Sequence, residues 1–353
     1  MVQEVALRTP VNALISFHYF RKRDIAEMQT WGMRMIGDCG AFSAVSQGAE
    51  IAIDDFLEWA IKWQNNLAWI ASLDVIGDSK ATFENYKYLR ANGVDAVPTI
   101  HYGDNPKELD KYADDGIDFC GLGGMVMRKS EVARLMRWTL SVFKYAQDNH
   151  PNMRFHGWGI THNTLLMNLP WYSVDSSGFS SSYRFARLSL FDSSLGKNIG
   201  IQLDGKEIYK HADLLLREYG CNPDDVAVSN KDTRRQLVRL SIASIQRQED
   251  FLRKRHSVSA PTYGVRDYWT DVSNIHIASG APQYLKEIGD ISISPTQAPL
   301  TSNIHAAFGN TDYLAVEPTP HVHVALGPSK AQGTRSVSPF DTLPTIIKKE
   351  KNQ

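Results

Sequence analysis

Through the first half of this chain, short apolar runs rich in β-branched residues alternate with longer stretches of helical periodicity. That alternation restricts the fold more than any other feature, because strand–helix–strand units generate a parallel sheet covered by helices. The spacing predicts strands over 13–20, 34–42, 69–76, 96–102, 119–123, 154–160 and 172–175. Helical patterns fall over 54–65, 79–92, 106–114 and 130–149. The first of these opens on Asp54 and Asp55, which suit the positive end of a helix; the second opens on Ser79 and stops before Gly93. The third starts at Pro106, and the fourth aligns Val132, Leu135, Met136 and Leu140 on one stripe.

Seven strands at this spacing fit an α/β fold of the (β/α)8 TIM-barrel type better than a doubly wound sheet. No GxGxxG follows the first strand, and polar residues cluster at the strands' C-terminal ends. The eighth strand is expected at 226–229, followed by a basic helix over 231–255. Together these give a barrel domain over 1–256. Residues 257–353 read as a C-terminal extension, rich in Pro, Ser, Thr and Gly and irregular beyond about 293.

Lys and Arg number 38 against 39 Asp and Glu, a formal charge of −1. A wholly basic nucleic-acid coat is thereby excluded, but a single basic face is not. The helix over 231–255 carries eight basic and three acidic residues, whereas 1–230 sum to −5. No apolar run approaches the roughly 20 residues needed to cross a bilayer. The N-terminus lacks a basic region with a small-residue cleavage site, so a cytoplasmic protein without membrane contact is expected. Cys39, Cys120 and Cys221 lie far apart and form no CxxC pair, which rules out a Cys-rich zinc site.

Chemistry-bearing residues recur at the predicted strand ends. Strand two ends in Gly37-Asp38-Cys39-Gly40, and strand three in Ser72-Leu73-Asp74-Val75. Strand four ends in Thr99-Ile100-His101-Tyr102-Gly103, and strand five in Gly121-Leu122-Gly123-Gly124-Met125. Strand six gives His156-Gly157-Trp158-Gly159, and strand seven Val174-Asp175-Ser176-Ser177-Gly178. Alone, Asp38 reads equally well as a turn residue capping a helix, and a lone His is more often structural. Recurrence of Asp38, Asp74, His101, His156 and Asp175 at one end of successive strands favours an active site. Paired carboxylates without a metal-ligand cluster suit glycosidic-bond chemistry, one attacking an anomeric carbon while the other manages the leaving group's proton.

In order, these motifs resemble those of the guanine transglycosylase family, (β/α)8 barrels that exchange guanine in nucleic acid for a 7-deazaguanine. The family's Asp-Ser-Gly-Gly-Phe-Gln is similar to Asp38-Cys39-Gly40-Ala41-Phe42-Ser43, and its base-reading Asp falls on Asp74. Its Val-Gln-Gly-Gly is similar to Ile100-His101-Tyr102-Gly103, and its Gly-Gly-Leu to Gly123-Gly124-Met125. Its Met-Gly-Val-Gly resembles His156-Gly157-Trp158-Gly159, and its nucleophilic Asp then falls on Asp175. The likeness covers residues 13–190. The tRNA enzymes add a Cys-rich zinc subdomain that three scattered cysteines cannot supply. DCGAFS, IHYG and HGWGIT with VDSSGF look closer to the phage-type branch, which inserts 7-deazaguanines into DNA; a phage-encoded chain would act in the host cytoplasm.

The resemblance implies double displacement, with Asp175 as nucleophile, Asp38 as general acid and then base, and no cofactor beyond the 7-deazaguanine co-substrate. It implies base binding by Asp74, His101, Gly123, Gly124 and His156, the last stacking on the ring. His101 reads equally as a residue behind the site. The incoming base is expected to carry a small cyano or aminomethyl group. The target nucleotide must be flipped out or single-stranded. Arg184, Arg187, Arg234, Arg235 and Arg239 are candidates for phosphate contacts, against the plainer alternative of a solvated helix face. DNA is the expected partner. A zinc-less tRNA-guanine transglycosylase, a non-catalytic nucleic-acid-binding subunit on the same barrel and a glycoside hydrolase stay open. Oligomeric state is open too, a homodimer included.

Overall fold

Strand β1 (Val11–Ser16) is buried at every position, with Val11, Ala13 and Ile15 in one apolar cluster and Leu14 in another. A strand covered on both faces belongs inside a parallel sheet, and β1 pairs in parallel with β2 (Met33–Asp38) from Val11 opposite Met33 to Ser16 opposite Asp38. The computed structural model describes residues 4–8, 11–30, 32–126, 130–160, 162–203 and 206–256, with the backbone of 276–279 and 322–326.

Between β1 and β2 lie two short helices, α1 (Phe17–Phe20) and α2 (Ala26–Thr30). Then come α3 (Ala41–Ser46), α4 (Ile53–Trp63), β3 (Ile70–Ala71) and α5 (Ser79–Ala91). Next are β4 (Ala96–Val97), β5 (Thr99–His101), α6 (Glu108–Asp114), β6 (Phe119–Gly123) and α7 (Val132–Asn149). The series continues with β7 (Arg154–Gly157), α8 (Asn163–Asn168), β8 (Ser173–Asp175) and α9 (Ser181–Phe185). A hairpin of β9 (Arg187–Asp192) and β10 (Lys197–Gln202), α10 (Ala212–Tyr219) and α11 (Arg234–His256) follow. Two strands, β11 (His276–Ser279) and β12 (Val322–Leu326), complete the described elements.

The architecture is mixed α/β with a parallel sheet of order β4-β3-β2-β1-β11-β12-β8-β7-β6-β5. Its first and last members are two halves of one extended segment, separated only by Pro98. Proline has no N–H to give the ladder, which accounts for the break. α4 buries Phe56, Trp59, Ala60 and Trp63, the 3.6-residue stripe that carries it onto the core. The cap of α5 is Asp78, which accepts from the Ala81 N–H at 2.9 Å, rather than the expected Ser79.

Three expectations are corrected. Residues 226–229 form no strand; they follow a 3-10 turn at Pro223–Asp225. The sheet is completed from further along the chain, where β11 pairs with β1 and β12 with β8. A boundary at 256 is therefore crossed by the sheet itself, while the irregular remainder expected over 257–353 lies outside the described residues. Thirdly, the basic helix is not a solvated strip. Val238, Ile242 and Leu252 of α11 join the main core, while Leu237, Leu240 and Ala243 join a second core with the hairpin and α10.

Its charges are largely spent on the protein. Arg239 is 6% exposed, donates from Nε to the Val5 carbonyl at 2.8 Å, and stands 3.6 Å from Glu4. Arg235 pairs with Glu4, Arg247 with Glu218 and Arg253 with the buried Glu249. Arg234 lies over the Tyr183 ring at 4.7 Å. Among the described residues no helix is long and apolar enough to cross a membrane.

Candidate active site

The strand ends converge on one cavity of about 1170 Å³. The registers bring them together: Ser16 lies opposite Asp38, His101 opposite Gly123, Gly121 opposite His156 and His156 opposite Ser173. Asp38, Asp74, His101, Gly123, Gly124 and Asp175 all line the cavity, as do Asp104 and Glu131, which sequence reasoning missed. Five carboxylates thus share the space with a single imidazole, and no Lys or Arg is among its described lining.

Asp38 closes β2 just before Gly40, whose φ of 78° is left-handed; a Cβ there would collide with Ser16 Oγ and His18 Cβ. Burial pushes the Asp38 carboxyl up to about 7, and the charges of Asp175 and Asp74 add to the rise. The Gly40 N–H and the Ser16 hydroxyl pull it only part of the way back. Asp38 is therefore a carboxyl that can both give and take a proton near neutrality.

Asp175 sits 6% exposed at the end of β8, and its Oδ1 accepts a hydrogen bond from the Gly159 N–H. That N–H is aimed by a left-handed φ of 65° at Gly159, where a Cβ would run into Val126 Cγ2. Behind Asp175, His156 presents Nε2 at 3.6 Å from Oδ1, longer than a hydrogen bond, while its Nδ1 meets Ser173 Oγ at 2.6 Å. Burial holds His156 below its ordinary pKa, with Asp175 offsetting part of the drop, so the ring is neutral at pH 7. Gly159→Ala is expected to destabilise the fold by about 1–3 kcal/mol, through left-handed strain and the Val126 collision. Chemical denaturation measures this, and an unchanged midpoint would mean that the turn is slack.

His156 cannot stack on a bound base. Its ring is 0% exposed and absent from the cavity wall, packed edge-on against Trp69 at 5.0 Å and Trp158 at 4.2 Å. The expectation is corrected: His156 lies behind Asp175, outside the cavity wall, and the aromatic that reaches the cavity is Trp158, anchored by Nε1 to Thr99 Oγ1 at 3.1 Å.

Asp74 and His101 form the third constellation. Nε2 of His101 lies 3.6 Å from Asp74 Oδ2, and the Asp74 Oδ1, buried, has no hydrogen-bond partner among the described residues. Burial works against a charged His101, but Asp74 and then Asp104 outweigh it and hold its pKa above the ordinary value. Asp104 also fixes the turn by accepting from the His101 backbone N–H at 2.8 Å. The glycines opposite are required by space: a Cβ on Gly123 would lie 3.1 Å from the His101 ring, and Gly124 has a φ of 75°. Asp74 thus keeps one uncommitted acceptor oxygen in a residue that lines the cavity.

The five arginines expected at phosphates do not line this cavity. Arg184 and Arg187 stand beyond Asp175 at the end of α9 and the start of β9, Arg187 exposed. Arg234, Arg235 and Arg239 are occupied as described above, Arg239 under cover. Among the described residues no group of three or more His, Cys, Asp or Glu could hold a metal ion. No protein-family model and no curated protein matches the sequence.

Proposed function

We propose that this chain is a guanine transglycosylase acting on DNA, exchanging guanine for a 7-deazaguanine through a covalent glycosyl-Asp175 intermediate. The observation that carries the reading is two carboxyls in unlike settings on one cavity wall. Asp38 is raised to about 7, whereas Asp175 is held by the Gly159 N–H. Two carboxyls in such unlike settings are suited to divide the work of acid and nucleophile. The resemblance of the strand-end motifs supplies the substrate class. A (β/α)8-type barrel is the finer fold that goes with it, supported by a sheet order that begins and ends on the two halves of the segment around Pro98.

The chemistry is a double displacement. A carboxylate oxygen of Asp175 attacks C1′ of a deoxyguanosine, the C1′–N9 bond breaks, and its electron pair leaves on N9. Protonated Asp38 supplies the proton to the departing guanine. When the 7-deazaguanine enters, ionised Asp38 takes its N9 proton, N9 attacks C1′, and Asp175 is released. Asp74 Oδ1 is the acceptor for the N1–H and 2-amino edge that guanine and its 7-deaza analogues share. The Gly123 and Gly124 backbone faces the opposite edge, and Trp158 offers a wall to the ring. The partners are DNA, in a flipped or single-stranded form, and the free base.

The test offers radiolabelled guanine with single-stranded DNA, duplex DNA or tRNA, and measures label retained in the polymer. Label in DNA is expected. Label in tRNA alone would reassign the polymer, and label in neither, with no release of base, would overturn the reading.

A further inference from the structure

The cavity does not end at the carboxylates. Beyond Asp175 it continues between the 176–181 segment, the β9–β10 hairpin and helix α11. On α11 the residues facing it are Ser241, Ser244, Ile245 and Gln248, spaced i, i+3, i+4 and i+7, which is one stripe of the helix. The serines are already engaged: Ser244 Oγ accepts from the Phe191 N–H at 2.8 Å and donates to the Ser189 carbonyl at 3.0 Å, clamping the hairpin to α11. Ser241 donates to the Leu237 carbonyl at 2.8 Å. Gln248 is different. It is 6% exposed, lines the cavity, and its Nε2 has no hydrogen-bond partner among the described residues. A buried amide left in that state costs free energy unless a ligand completes it.

We propose, resting on the base-exchange reading above, that this second lobe takes the nucleobase next to the one exchanged, with the Gln248 carboxamide reading its edge. Three observations select a base over the other parts of a nucleic acid. The described lining of the lobe has no cation, so a phosphate buried there would be uncompensated. A carboxamide carries donor and acceptor in one plane, the pattern that pairs with a base edge. Ile245 and Phe179 supply apolar surface for the base's faces. The rim is suited to the backbone. Ser189 and Arg187 occupy one face of β9, two residues apart, and the Arg187 guanidinium lies over Gly200, 3.7 Å from where a Cβ would stand. The base enters while its phosphate stays outside near Arg187. At about 1170 Å³ the whole cavity exceeds the roughly 300–1,000 Å³ usual for a single small ligand.

The experiment uses the full chain and single-stranded oligodeoxynucleotides holding one guanine between randomised neighbours, read by anisotropy for binding and by sequencing of the exchanged fraction. The protein is expected to prefer one flanking base, and Gln248→Ala to flatten that preference by about 10-fold. A helix defect alone would lower exchange equally in every context. Gln248→Glu, which turns the donor into an acceptor, is expected to move the preference toward cytosine. Asn198→Ala, at an exposed position on the facing hairpin, reports on the same lobe if the Gln248 variants do not fold. Exchange that proceeds with the same flanking preference in all three variants overturns the lobe while leaving the function standing. A parent protein that neither binds nor exchanges any oligonucleotide overturns both.

Discussion

Asp175→Ala is expected to abolish the denaturation-resistant adduct with DNA and to lower base exchange by at least about 10³-fold, as loss of a covalent nucleophile does elsewhere. The reason lies in the setting of the carboxylate. One oxygen is fixed by the Gly159 N–H, and His156, itself held by Ser173, packs behind it. Asp175 lines the cavity, and no neighbouring carboxyl is placed to substitute for it with the same support. Asp38 has its own proton to manage, and Asp74 faces His101. Removing the side chain also strips the Gly159 N–H of its acceptor, a loss of about 1–3 kcal/mol, so a melting curve must accompany the assay. An adduct that persists on a denaturing gel in a folded Asp175→Ala protein would move the nucleophile elsewhere.

The strand-end residues were legible because parallel strands impose a simple rule. Each strand's last residues reach the same edge of the sheet, so the pattern of strands alone places Asp38, His101, Gly123 and Asp175 together. Strand lengths were less legible. The run 13–20 is mostly apolar, yet Phe17–Phe20 turns into a helix packed on the same core, because apolar character alone does not distinguish the two states. The depth of a side chain was not legible at all. His156 and Trp158 are neighbours on β7 and its turn, and only the registers to β6 and β8 decide that the histidine is covered and the tryptophan faces the cavity.

Helix α11 failed for a different reason. Its formal charge suggested a solvated or phosphate-facing surface, but charge counted along a helix ignores which residues pair across the fold. Arg239 and Arg235 meet Glu4, more than two hundred residues away, and Arg8 reaches Glu249. Such pairs are invisible to local pattern. The completion of the sheet by β11 and β12 was hidden likewise, since four- and five-residue strands far downstream carry almost no periodic signal.

Asp38→Asn is expected to separate activity from stability. The folded-state carboxyl sits at about 7 against an ordinary 3.8. Below pH 4 the side chain is protonated whether the chain is folded or not, and asparagine offers no advantage. As pH rises from 4 to 7 the unfolded chain gains by ionising while the folded chain holds its proton, so the parent loses stability until its own carboxyl titrates and the difference levels off. The variant's advantage grows across that window to a plateau of about 2–4 kcal/mol above pH 7, read by denaturant midpoints at pH 4, 6 and 8. Activity goes the other way. Without a proton to donate, guanine departure slows by about 10²–10⁴-fold. In the parent, single-turnover adduct formation falls as pH climbs through about 7 because protonated Asp38 is consumed. Capture of the incoming base, which needs the ionised form, rises over the same interval. Adduct formation that is flat from pH 5 to 9 in the parent, or a variant whose advantage over the parent is no larger at pH 8 than at pH 4, would remove Asp38 from the role of acid and base.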